Sequence, residues 1–135
     1  LLGWSGQDQT ITGKVIEILK INDKGEPVFG SDVFEGYPRP GVKRVVYRFS
    51  ASTTMNLKYE NQVISTRKIW NKRKRVFDSV ESRGMVIVAD RVEPMDPLME
   101  SMFQFYIPAG DLHDGFILNS GKWQFHPGIE TRNTR

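Results

Sequence analysis

The stretch Val42–Thr54, VKRVVYRFSASTT, decides the fold class. Val45, Tyr47, Phe49 and Ala51 fall on one side of an extended chain; Arg44, Arg48, Ser50 and Ser52 fall on the other. Successive side chains of a strand point to opposite faces, so this alternation marks an antiparallel strand with one face in a core and one in water. Just before it, Gly36-Tyr37-Pro38-Arg39-Pro40-Gly41 predicts a loop, because its prolines and glycines suit neither a helix nor a central strand. Further back, Thr10–Ile21 carries the β-formers Val15, Ile16, Ile18, Leu19 and Ile21. A strand is preferred there over a short helix, because Asn22-Asp23-Lys24-Gly25 follows as a turn with glycine where positive φ is needed.

On the C-terminal side, Asn56–Tyr59 reads as a turn and Gln62–Trp70 as a second strand. Asn71-Lys72-Arg73-Lys74 reads as an exposed hairpin tip, with Val76–Val80 returning. The continuous apolar run Met85-Val86-Ile87-Val88-Ala89 predicts a central strand. Glu93-Pro94-Met95-Asp96-Pro97 breaks the pattern, and Leu98–Met102 adds one helical turn. Phe103–Ile107 is expected as a strand with Phe103, Phe105 and Ile107 on one face. Phe116–Leu118 and Trp123–Phe125 are expected to pair around the turn Asn119-Ser120-Gly121. Glu130–Arg135 reads as a polar tail. Repeats, low-complexity tracts and linkers are absent. The expectation is an all-β single domain, residues 1–135: an antiparallel β-sandwich, jelly roll or barrel of about seven or eight strands with at most one short helix.

The chain has 135 residues and no cysteine. That length buries a sizeable core without a metal or disulfide. The lack of cysteine removes disulfides, thiolate zinc sites, iron–sulfur clusters and thiol nucleophiles. No apolar run is long enough to cross a bilayer, so a soluble chain without a transmembrane segment is expected. Leu1-Leu2-Gly3-Trp4 lacks the basic flank of a signal peptide, and a start without Met fits a processed or excised segment.

Charge is unevenly placed. The net charge is +3, from 19 Lys and Arg against 16 Asp and Glu. Arg67, Lys68, Lys72, Arg73, Lys74 and Arg75 supply six of those cations, and the other 13 leave a balance of −3. Cations clustered on a hairpin tip attract phosphate, anionic lipid or an acidic protein face. Trp70 among them either stacks on a base or interface, or packs inward as the last strand residue. The acidic stretch Glu93, Asp96 and Glu100 is the candidate counterpart on a neighbouring subunit.

Pro108-Ala109-Gly110-Asp111-Leu112-His113, after an aromatic strand, resembles the second conserved motif of the cupin family, Pro-x-Gly-x-x-His. The resemblance spans Phe103 to Leu118 at most. It implies a jelly roll in which His113 ligates a metal. The family's first motif supplies paired His and a Glu upstream, but this sequence has no His before His113. Most imidazole ligands are therefore missing, and no metal or other cofactor is expected. The other reading is a strand, turn and strand with Gly110 in the turn and His113 exposed.

Asp111 and Asp114 flank His113 without a nucleophile of defined position, so no hydrolase triad is readable. Glu17, Asp78, Glu81 and Asp90 are carboxylates available for acid–base work, but their spacing singles out no pair. Trp4, Trp70, Trp123, Tyr37, Tyr47, Tyr59 and Tyr106 read as core and rim packing rather than a sugar platform. The expected function is a non-enzymatic structural or interaction domain, self-assembling or binding an anionic partner through the basic hairpin. The alternatives are a nucleic-acid-binding β-barrel, a cupin-like enzyme or sugar binder, and an anionic membrane-surface binder.

Overall fold

The computed structural model describes residues 1–6 and 8–129, so the polar tail expected at Glu130–Arg135 lies outside the described residues. The chain is all-β. Its strands are β1 (Leu2–Ser5), β2 (Ile11–Ile16), β3 (Leu19–Ile21), β4 (Pro27–Phe29), β5 (Phe34–Glu35), β6 (Val45–Ser50), β7 (Leu57–Asn71), β8 (Val76–Pro94), β9 (Tyr106–Asn119) and β10 (Lys122–Ile129). Among the described residues helix is confined to two 3-10 turns, Pro97–Met99 and Phe103–Phe105. No helix among the described residues is long and apolar enough to cross a membrane.

Three sheets form, with strand orders β1-β2-β6, β5-β10-β9-β8-β7 and β3-β4. All pairs are antiparallel except the short parallel contact of β5 with β10. The core is drawn from both larger sheets. Val45, Tyr47 and Phe49 of β6 and Ile16 of β2 cluster with Phe34, Ile87, Ala89 and Phe116 from the five-stranded sheet, and with Met55. Val45, Tyr47 and Phe49 of the alternation read in Val42–Thr54 thus fill the core, but the strand ends at Ser50, which is buried, and Ala51 beyond it is exposed rather than inward. Rings lock together edge to face inside the core: Phe34 meets Phe116 at 6.0 Å, and Tyr37 meets Phe125 at 5.3 Å.

Several boundaries move. Thr10–Ile21 is two strands. Val15 and Ile16 pair with β6, whereas Leu19–Ile21 turns away to pair with β4. The Asn22–Gly25 turn closes that local hairpin: Asn22 Oδ1 accepts from the amides of Lys24 and Glu26, and Gly25 takes φ 77° as anticipated. Leu57–Tyr59 is strand rather than turn, because it pairs with Ile87–Ala89. Val76–Val80 and Met85–Ala89 are parts of one 19-residue strand, since Glu81–Gly84 keep their pairing to β7. Phe103–Phe105 coils as a 3-10 turn because pairing with β8 begins only at Tyr106. The Asn119–Gly121 hairpin forms as expected, with Lys122 opposite Asn119.

Candidate functional site

The β7–β8 hairpin changes character along its length. β9 pairs with β8 only from Val86 onward. Beyond that point Val63–Gly84 is a two-stranded ribbon, without a third strand or a buried residue among the described ones. A bulge between Val63 and Ser65 marks its base. There Ile64 lies where a side chain on residue 84 would sit, which explains the glycine at that position.

At the far end Asn71 organises the turn. Its Oδ1 accepts from the amides of Arg73 (3.0 Å) and Lys74 (3.1 Å), and its Nδ2 donates to Asp78 Oδ2 at 2.8 Å. The amide of Arg75 donates to the Asn71 carbonyl at 2.8 Å, and Arg75 takes the left-handed φ of 54°. Lys72, Arg73, Lys74 and Arg75 therefore project from one tight turn. Arg67 and Lys68, a few residues back, face opposite sides of the ribbon. All six cations are exposed, and none forms an ion pair among the described residues.

Trp70 does not face the core. It stands opposite Phe77, with ring centroids 5.0 Å apart, and the two remain 48% and 64% exposed. Phe77 is a surface residue that the sequence reading passed over. Its only signal was its register across a four-residue turn from Trp70. Ile69, Val76 and Val80 line the opposite face, also exposed.

The acidic stretch divides. Glu93 and Glu100 border one cleft of about 430 Å³ with Pro94, Pro97 and Tyr106. Asp96 is occupied otherwise: its carboxylate accepts the Leu98 amide at 2.8 Å and caps the 3-10 turn at Pro97–Met99.

Around His113 the chain is strand, not an open turn. Between the pairs Asp90↔His113 and Val92↔Pro108, only Arg91 stands opposite Ala109–Leu112, so the motif is a bulge with Gly110 at φ 58°. His113 is half-buried rather than exposed. Its Nε2 lies 3.2 Å from Asp90 Oδ1, and its Nδ1 is buried without a hydrogen-bond partner. Asp114 points the other way, as neighbours on a strand must. It is 7% exposed; its Oδ1 accepts from Arg91 Nε (3.2 Å) and Nη2 (3.1 Å), and its Oδ2 from the Tyr47 hydroxyl at 3.5 Å. Burial, reinforced by the Asp114 charge, pushes the Tyr47 hydroxyl well above its ordinary range. Among the described residues no three His, Asp or Glu side chains gather to hold a metal.

The other carboxylates are dispersed as well. Glu17 binds Arg44, Asp78 binds Asn71 and Asp90 binds His113. No family model, curated protein or solved structure matches the chain, so its function is argued from this geometry.

Proposed function

We propose that the chain is a non-enzymatic interaction domain that docks on an anionic partner through the arm Val63–Gly84. The observation that carries this reading is the combination of an unsupported ribbon with one-sided charge. The arm holds seven Lys and Arg against two Asp and Glu, a balance of +5, so the rest of a chain of net +3 carries −2. A core-building hairpin needs no such polarity. A docking arm gains from it, because contact with a polyanion releases counterions. Exposed Trp70 and Phe77 add a flat apolar surface beside the cations. For the body that carries the arm we infer a β-sandwich, the sheet β1-β2-β6 facing the five-stranded sheet across the shared core.

A second reading, self-assembly, is favoured by the cleft bordered by Glu93 and Glu100. The arm of one copy entering this cleft on the next makes a head-to-tail contact, which closes into a ring or extends as a filament.

The test is replacement of Lys72, Arg73, Lys74 and Arg75 by Ser. Binding to a heparin column, to duplex and single-stranded DNA and to anionic vesicles is measured across a salt series, alongside mass in solution. The parent is expected to bind at least one of these, or itself, with affinity falling steeply as salt rises. The variant is expected to lose that binding while its thermal midpoint stays nearly unchanged, since exposed charges contribute little to folding. A variant that binds and assembles as the parent does would leave the arm a solvated loop and defeat the proposal. DNA alone, vesicles alone or a salt-sensitive oligomer each identifies the partner class.

A further inference from the structure

A second cleft, of about 460 Å³, lies in the body of the molecule and shares no residue with the arm. Arg39 reaches it from the Gly36–Gly41 loop, Arg48 from β6 and Arg91 from β8, whereas Asp114 of β9 is the one carboxylate lining it among the described residues. Among the described lining residues, three guanidiniums against one carboxylate leave an excess of two positive charges around a half-open cleft. Asp114 holds Arg91 through two nitrogens, so that pair is self-contained. Arg39 and Arg48 have no carboxylate partner among the described residues. The Arg48 guanidinium lies over the Phe103 ring, 5.6 Å from its centroid, a contact that holds the cation without neutralising it.

The walls are aromatic. Tyr37 and Phe103 line the cleft, and Phe103 in turn packs 5.0 Å from Tyr106. Desolvation raises the Tyr37 hydroxyl above its ordinary range, so it stays protonated and able to donate at neutral pH. The space is generous. A cavity of roughly 150 Å³ accepts a benzene ring, and small-ligand sites run from roughly 300 to 1,000 Å³.

We propose that this cleft binds a small oxyanion carried on a flat aromatic ring, with the oxyanion on Arg39 and Arg48 and the ring against the aromatic wall. The guanidinium fork matches both carboxylate and phosphate, so these are the two forms of the ligand. The proposal is independent of the arm.

Phenyl phosphate and benzoate are the probes, titrated into the isotope-labelled 135-residue chain and followed by amide chemical shifts. Saturable shifts are expected at Tyr37, Arg48, Phe103 and Tyr106. Whichever probe binds at least tenfold more tightly identifies phosphate or carboxylate as the preferred form, and similar affinities assign the site to both. Phenol and inorganic phosphate, each carrying half of the chemistry, are expected to bind at least tenfold more weakly than phenyl phosphate. Arg48→Gln is expected to weaken the better probe at least tenfold and Arg39→Gln several-fold. The variant with Ser at Lys72, Arg73, Lys74 and Arg75 is expected to bind it as the parent does. Arg39 sits on an exposed loop, so Arg39→Gln keeps the test decisive if Arg48→Gln unfolds. The absence of saturable shifts at these residues up to about 10 mM of either probe overturns the proposal. So does unchanged binding in Arg39→Gln and in folded Arg48→Gln, or loss of binding in the arm variant.

Discussion

Val86–Ala89 and Val76–Val80 belong to one strand and live in opposite surroundings. Val86, Ile87, Val88 and Ala89 are 0–5% exposed, whereas Val76, Phe77 and Val80 are 45–64% exposed. Both segments pair with β7 in one antiparallel ladder, on either side of the bulge at Val63/Ser65. What separates them is β9, which pairs with the first and not the second, and the apolar layer behind it. Backbone pairing extends a strand, but a third strand and a facing sheet are needed to bury it. A two-stranded ribbon is marginal by itself, so the arm persists as a continuation of a ladder anchored in the body. Under the docking proposed above, its uncovered apolar residues are the contact surface.

The sharpest way to break this comparison is to truncate one ring in each region. Phe116 is fully buried against Phe34 and Phe125, and Phe116→Ala is expected to cost about 3–5 kcal/mol in urea unfolding. Phe77→Ala, in the arm, is expected to cost less than about 1 kcal/mol. Equal losses would mean that the ribbon folds as part of the core.

Alkali probes the buried side alone. Tyr47 titrates above its ordinary value of about 10 in the folded chain, so the folded state holds its proton longer than the unfolded one. The stability this contributes is complete below pH ~10 and declines as pH rises beyond it. Tyr47→Phe is expected to make the decline shallower, as read from urea midpoints on either side of that pH. Phenolate absorbance adds a check: Tyr37 and Tyr47 should ionise above the ordinary tyrosine value.

A smaller effect tests the tip. Asn71→Ala removes the acceptor for two turn amides and the donor to Asp78. It is expected to cost roughly 1 kcal/mol, as loss of a capping side chain does. It should also speed amide exchange at Arg73 and Lys74 while leaving Val86–Ala89 protected. Exchange rising equally in both places would show that arm and body open together.

Local rules made part of this molecule legible. The alternation through Val45, Tyr47 and Phe49 found the core strand, and the Asn71-Lys72-Arg73-Lys74 stretch found the tip, because each signal lies within a few residues. The arm's length was not legible. Glu81-Ser82-Arg83-Gly84 falls between the two strands expected at Val76–Val80 and Met85–Ala89, since a ribbon solvated on both faces has no apolar period to announce it. Phe103, Phe105 and Ile107 alternate as a strand does, yet the first two coil because the ladder with β8 begins only at Tyr106. The cleft was harder still. Arg39, Arg48 and Arg91 come from a loop and two different sheets, so only the folded chain sets them around Asp114.

β7 stands last in its sheet, and among the described residues its outer side meets no other strand. A straight margin of that length would be an open template on which further chains add by main-chain pairing, the route to fibres. The bulge at Val63/Ser65 interrupts it, leaving Leu57–Val63 and Ser65–Asn71 out of step with one another. Lys58, Glu60, Arg67 and Lys68 place charge along both runs. One inserted residue, Ile64, thus lets the chain extend a long arm without offering a continuous seam for uncontrolled growth.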